Sequence, residues 1–289
     1  MNIKSKVLST TIHLISILPF GVLYVLSDII SFFLRRVIRY RKAVIMENLQ
    51  SAFPDKSIEE REEIKNKFYQ FLADLVIENL KMKTMTVAQS KKRLRLLNPE
   101  IILNYLNNHQ SIIIVTGHYA NWEWGIHSLS LMTNHPSLII YKPINDPIFE
   151  DLYNKMRSRF GAIMVPMKQT LRKIIEYKDQ THSSVFLGDQ TPTKKESKYF
   201  IPFLNQQTSV FKGIEKIAKK TNNPVIYCHI DRIKRGYYTA KFTILAEEPA
   251  KFLEDEITNI HTKFLDDIIC KRPELWLWSH KRWKHKPND

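Results

Sequence analysis

From residue 111 onward, short apolar runs alternate with segments in which apolar residues recur every three or four positions. The runs at 111–116, 137–141, 162–165, 184–188, 224–230 and 238–245 are short and apolar, with turn formers around them, and they predict buried strands. The patterns between and after them predict helices over 122–132, 148–159, 169–177, 209–220 and 254–270. Such a rhythm points to an α/β domain with a mostly parallel sheet flanked by helices. Ahead of it, Ser57 and Glu60 have capping-box spacing. Ile64, Phe68, Phe71, Leu72, Leu75, Val76 and Leu80 then predict an amphipathic helix to about residue 82. The charged run Lys91-Lys92-Arg93-Leu94-Arg95 reads as a solvated helix face.

The N-terminus follows another pattern. Val7 to Leu34 is apolar apart from interruptions such as His13, Pro19, Gly21 and Asp28, and Arg35, Arg36, Arg39, Arg41 and Lys42 follow it. About 20 mainly apolar residues suffice to cross a bilayer, but Pro19-Phe20-Gly21 divides this stretch into halves too short to span alone. A kinked span and a bent hairpin dipping into one leaflet both fit. The basic flank belongs at an anionic, cytoplasmic face. No small-residue cleavage site precedes the arginines, so a cleaved signal peptide fits less well. The simplest division is an anchor over 1–43 and a catalytic domain over 44–289.

Charge sharpens this picture. The net charge is +15, and residues 1–50 carry seven Lys/Arg against two Asp/Glu, while residues 271–289 carry six against two. Such a chain attracts nucleic acid, anionic membrane or an acidic partner. Near the C-terminus Trp276, Trp278 and Trp283 mix with His280, Lys281, Arg282, Lys284 and His285, which suits a headgroup-level surface or stacking on single-stranded nucleic acid. Cys228 and Cys270, far apart in apolar surroundings, read as reduced, packed thiols.

The chemistry concentrates in Gly117-His118-Tyr119-Ala120-Asn121-Trp122-Glu123, directly after the run 111–116. Within one helix, residues five apart diverge by about 140°. A His118–Glu123 pair therefore needs the imidazole on the strand-exit turn and the carboxylate in the first turn of the next helix, with Asn121 as its N-cap. A carboxylate so placed fixes the tautomer of a histidine acting as general base. The plainer alternative is a packing histidine beside a surface charge. Further polar clusters fall where strands give way to loops, where open α/β sheets bind ligands. They are Tyr141-Lys142-Pro143, Arg157 and Arg159 before Gly161, and Asp189-Gln190 after the fourth strand.

These blocks, with Arg41, Asn48-Leu49, Ala52-Phe53-Pro54 and Pro273-Glu274-Leu275-Trp276-Leu277-Trp278, resemble the late acyltransferases of lipid A biosynthesis, within the wider class bearing an H-x-x-x-x-[DE] motif. The likeness runs from about residue 40 to the C-terminus. It departs from the usual pattern at Lys142, where arginine is customary, at Thr191, where a second aspartate is frequent, and at Trp278, where a histidine is frequent. The resemblance implies a glycerolipid acyltransferase-like fold. It also implies transfer of a fatty acyl chain from an acyl-carrier-protein or coenzyme A thioester to a hydroxyl of a lipid acceptor, by default a lipid A precursor. His118 would act as base, held by Glu123. Asn121, Tyr141, Lys142, Arg157, Arg159, Asp189 and Gln190 would bind substrate. No cofactor is implied, and the expected setting is the cytoplasmic face of a bacterial inner membrane, with an anionic membrane surface as partner.

Rival readings are a lysophospholipid acyltransferase, a basic nucleic-acid-binding protein, a metal- or nucleotide-dependent enzyme, and a membrane scaffold with a decayed site. The nucleic-acid reading leaves residues 7–34 and the His118 motif unexplained. H-E-x-x-H, P-loop and G-x-G-x-x-G strings are absent. His127 is read as helix packing.

Overall fold

The N-terminal segment turns serines, together with Ile12 and Leu23, toward the protein. In a computed structural model that describes residues 3–194 and 197–287, α1 (Ile3–Ile17) and α2 (Phe20–Phe32) form a hairpin bent by 117°. Ser5, Ser16, Ser27 and Ser31 are buried on its inner side, while Ile3, Val7, Leu14, Val25, Ile29 and Phe32 are exposed. No single helix among the described residues is long and apolar enough to cross a membrane. A π turn, Phe33–Val37, leads through the basic cluster to α3 (Lys42–Ala52).

The predicted amphipathic helix is α4 (Ile58–Lys81), and its capping box forms: Ser57 Oγ accepts from Glu60 N and Glu60 Oε2 accepts from Ser57 N. Its inner face carries two fully buried carboxylates, and they hold the hairpin. Asp74 accepts from Ser27, Arg232 and Arg235, and Glu78 accepts from Tyr24. Next come α5 (Val87–Arg93), β1 (Leu94–Leu96) and α6 (Glu100–Asn107). The charged run 91–95 is thus a helix end followed by a short edge strand, in which Leu94 is the buried residue.

The α/β region follows as β2 (Ile112–Thr116), α7 (Trp122–Ser130), β3 (Ser137–Tyr141), α8 (Pro147–Arg157), β4 (Ile163–Pro166), α9 (Thr170–Glu176) and β5 (Ser183–Leu187). Two short strands, β6 (Phe200–Phe203) and β7 (Gln206–Ser209), form a separate antiparallel hairpin. Leu204 and Asn205 at its turn both have positive φ, as a two-residue hairpin turn of matching twist requires. The helix expected over 209–220 accordingly begins later, as α10 (Gly213–Thr221). β8 (Val225–Lys234), β9 (Tyr237–Ala246) and α11 (Glu256–Lys271) complete the elements used below.

The main sheet has the order β1-β9-β8-β2-β5-β3-β4, parallel except where β8 meets β9. All five residues of β2 are buried, as expected of a β-branched strand covered on both faces. The connection from β2 passes over β5 to reach β3, whereas the connection from β5 passes over β2 to reach β8. The chain therefore leaves these two neighbours in opposite directions, and the crevice at their carboxyl ends is where such sheets place ligands.

Candidate active site

The turn leaving β2 is crowded and uses glycine for that reason. A Cβ on Gly117 would meet Leu265 at 3.0 Å and the Asp189 carboxylate at 3.4 Å. His118 follows, and its backbone N–H donates to Asp189 Oδ2 at 2.8 Å. Its ring Nδ1 lies 2.6 Å from Asp189 Oδ1. Ala120 then takes a left-handed conformation (φ 51°), and its N–H donates to Leu275 O. Asn121 caps α7 as expected, its Oδ1 accepting from Trp124 N at 3.0 Å.

The expected His118–Glu123 pair is not formed. Glu123 does sit in the first turn of α7, but it is 1% exposed and faces α8, where Arg157 grips it with Nε at 2.8 Å and Nη2 at 2.5 Å. Trp122 separates the two motif residues. Its ring stands edge-on to the His118 imidazole with centroids 4.9 Å apart, while its Nε1 donates to Glu123 Oε1. The carboxylate that orients His118 comes instead from the end of β5, adjacent to β2 in the sheet.

Asp189 is 6% exposed, so burial opposes its ionisation. The charge and hydrogen bond of the His118 ring, the Trp276 indole N–H at 2.9 Å and the His118 backbone N–H outweigh that cost and hold it well below the usual carboxylate range. In the neutral form of the ring, Nδ1–H donates to this carboxylate, and Nε2 is left with its lone pair outward to accept from Gln190 Nε2 at 3.0 Å. The pair is thus arranged to take a proton through Nε2.

Trp276 corrects one expectation. The C-terminal tryptophans do not form a surface: Trp276 and Trp278 are buried, and Trp283 packs against the core. Their indole N–H groups are each satisfied, by Asp189, Pro273 O and Thr208 respectively. Arg41 and Asn48 hold this segment through Ser279 O, Trp278 O and His280 O, so the early and late blocks meet behind the site. Arg282 is 2% exposed, with Nε and Nη1 unpartnered. Together with His261 and Asp189 it lines a cavity of about 10 Å³, room for roughly one water. Burial lowers the Arg282 guanidinium to about 10, with Asp189 opposing the shift.

The remaining predicted residues are dispersed. Tyr141 Oη donates to Glu150 and accepts from Asn154, and Lys142 is exposed beyond the end of β3. Arg159 donates to the carbonyls of Met82 and Met85. His127 packs as expected, fully buried with Nε2 2.8 Å from Met156 O, and burial lowers it to about 4. Of the cysteines, Cys228 is partly buried and Cys270 is exposed rather than packed.

The fold and this pair define a class: an α/β protein with a carboxylate-oriented histidine at the carboxyl edge of a mostly parallel sheet. Comparison with known proteins narrows it. The profile of the bacterial lipid A biosynthesis acyltransferase family matches residues 7–285. The chain is 21% identical over 272 residues to the lipid A biosynthesis palmitoleoyltransferase of Escherichia coli (strain K12), spanning 93% of this chain and 87% of that one. A lipid A biosynthesis acyltransferase of Haemophilus influenzae is 26% identical over 257 residues, spanning 86% and 79%. The lipid A biosynthesis lauroyltransferase of Escherichia coli (strain K12) is 21% identical over 272 residues, spanning 93% and 88%. The chain belongs to the bacterial lipid A biosynthesis acyltransferase family and is an acyltransferase.

Proposed function

We propose that this protein moves a fatty acyl chain from a thioester, of acyl carrier protein or coenzyme A, to a hydroxyl of a lipid A precursor at the cytoplasmic face of a bacterial inner membrane. The observation that carries the mechanism is the Asp189–His118 pair with its Nε2 lone pair facing outward. Gln190 yields its place on Nε2 to the acceptor hydroxyl. His118 Nε2 takes the hydroxyl proton as the oxygen attacks the thioester carbonyl. The C–O bond forms, the C–S bond breaks, and the thiolate leaves with the proton returned by His118. Asp189 stabilises the imidazolium between these steps. The Glu123–Arg157 pair braces α7 against α8 and fixes a cation beside the site.

Membrane docking is supported by the inverted hairpin. Four of its serines are buried with Ile12 and Leu23, while Ile3, Val7, Leu14, Ile17, Val22, Val25, Ile29 and Phe32 face outward, and an apolar patch of this kind marks an interaction surface. The bend of 117° favours a hairpin in one leaflet over a span, and the basic cluster from Arg35 to Lys42 suits anionic headgroups.

The test is acyl transfer by purified protein in detergent, using acyl-carrier-protein and coenzyme A thioesters and acceptors that include a lipid A precursor and a lysophospholipid. Product is followed by mass spectrometry. The proposal expects acylated lipid A precursor from the wild type and at least a hundredfold less from His118→Ala. Product on lysophospholipid alone would overturn the acceptor assignment.

A further inference from the structure

A second cavity lies away from His118, where α1 meets α8 and the turn after α4, and neither His118 nor Asp189 lines it. Its volume is about 250 Å³. Ile12, Leu152 and Met156 form its apolar floor, and Lys83, Lys155 and Arg159 bring three cations to its wall beside Ser9.

The cations are only partly used by the protein. Lys83 Nζ donates to Ser9 O at 2.5 Å and Ser9 Oγ at 2.8 Å, leaving one of its three hydrogens. Arg159 donates through Nη1 alone, to two backbone carbonyls, so its Nε and Nη2 hydrogens have no partner among the described residues. Neither side chain touches a carboxylate, and burial lowers the pKa of both. Among the described residues, the one acidic partner of these cations is Asp151, on Lys155, and that pair is exposed. Capping carbonyls accounts for part of this donor set, while the rest matches the oxygens of a phosphate.

The floor identifies the other half of the ligand. Ile12, Leu152 and Met156 offer apolar surface that an alkyl segment beside the cations would cover. Its alkyl lining, with no aromatic ring, suits methylenes better than a base or a sugar. The cavity also lies beneath α1, whose outer side exposes Ile3, Val7, Leu14 and Ile17.

We propose that this cavity binds one membrane phospholipid, its phosphate against Lys83 and Arg159 and its first acyl methylenes on Ile12, Leu152 and Met156. The inference rests on the membrane-docked reading of the hairpin. Such a lipid would tie α1 to α8, the helix whose Arg157 grips Glu123.

The experiment is native mass spectrometry of the full chain, purified in micelles doped with phosphatidylglycerol, with diacylglycerol of the same chains, or with inorganic phosphate. One phosphatidylglycerol per chain should be retained, with neither diacylglycerol nor free phosphate retained in its place. Lys83→Gln should lower retention at least tenfold. Leu152→Trp, which fills the floor and leaves every cation in place, should do the same. Equal retention of diacylglycerol, retention of free phosphate alone, or unchanged lipid in folded Leu152→Trp would each overturn the site. The readout is bound mass rather than acyl transfer. Lipid retained by a protein that transfers no acyl chain would therefore sink the proposed function and leave the site standing.

Discussion

Asn121 Nδ2 donates to the Glu78 carboxylate at 2.7 Å, joining the N-cap of α7 to the buried side of α4. Glu78 also accepts from Tyr24 at 2.9 Å and Tyr238 at 2.8 Å, and its backbone carbonyl accepts from Trp124 Nε1. One carboxylate thus ties together the hairpin, the sheet and the His118 motif. Burial pushes Glu78 up to about 7, against the hydrogen bonds from Tyr238 and Asn121.

That shift sets a pH dependence. Below about 4.5 Glu78 is protonated in both the folded and unfolded chains, so it contributes no slope. Between there and about 7 the unfolded chain releases the proton first, and stability falls as pH rises by about 3 kcal/mol. Buried His127 and His261, each lowered to about 4, act in the opposite sense, so the comparison with a variant isolates Glu78. Urea unfolding across pH 4.5 to 7.5 should show wild type losing stability relative to Glu78→Gln. Parallel curves would show that Glu78 does not hold its proton in the folded state.

Asp189→Asn should disable the base while leaving its position intact. Two donors, His118 N and Trp276 Nε1, converge on Oδ2, so the asparagine oxygen belongs there. Its NH₂ then faces His118 Nδ1, which must accept, and the ring proton moves to Nε2. The nitrogen needed as base is then blocked. Acyl transfer should fall roughly 10²–10⁴-fold in a protein of near-normal fold, measured as kcat/KM with the acceptor that the wild type uses. Retained activity would assign orientation of His118 elsewhere.

The roles of Asn121 and Asp189 differ in legibility for a physical reason. Capping is local chemistry, visible in the spacing of Asn121 from the strand before it and the helix after it, and the α4 capping box is legible in the same way. The Asp189–His118 bond joins residues 71 positions apart, and it exists because β5 lies beside β2. Strand order is not written in any apolar run, so the carboxylate within the motif is the natural but mistaken partner. Trp276 is misread because tryptophan among lysines and arginines looks interfacial; its spacing of two from Trp278 is the signal of extended, packed chain. The β6–β7 hairpin and β1 are too short for alternation to show. Glu78 and Asp74 look like helix-surface charges until the hairpin covers them.

Glu123 and Arg157 form an enclosed ion pair near the site, with side-chain exposures of 2% and 15%. Removing one partner leaves a buried charge, so Glu123→Ala should cost roughly 3–5 kcal/mol. Glu123→Gln should cost less, because an amide oxygen still accepts from Arg157 and Trp122. Joint removal in Glu123→Ala/Arg157→Ala should be milder than the two single losses added together. Chemical denaturation of the four proteins closes the cycle, and simple additivity would mean that the pair is not coupled.

The hairpin separates membrane binding from folding, because one side packs on the protein while the other leaves apolar side chains exposed. Val25 and Ile29 are 59% and 49% exposed and make little contribution to the fold. Inserted into a leaflet, each would bury an apolar side chain worth ~1.5–3 kcal/mol. Val25→Asp or Ile29→Asp should therefore lower flotation with anionic vesicles roughly tenfold or more, with Tm unchanged. Ser27 lies on the other side, donating to Asp74 Oδ1 at 2.6 Å. Ser27→Ala deletes that bond and should lower stability by about 1.5–3 kcal/mol while vesicle binding by the folded fraction persists. If the aspartate variants float as well as the wild type, the outward apolar side is not the membrane surface, and a protein partner would have to cover it.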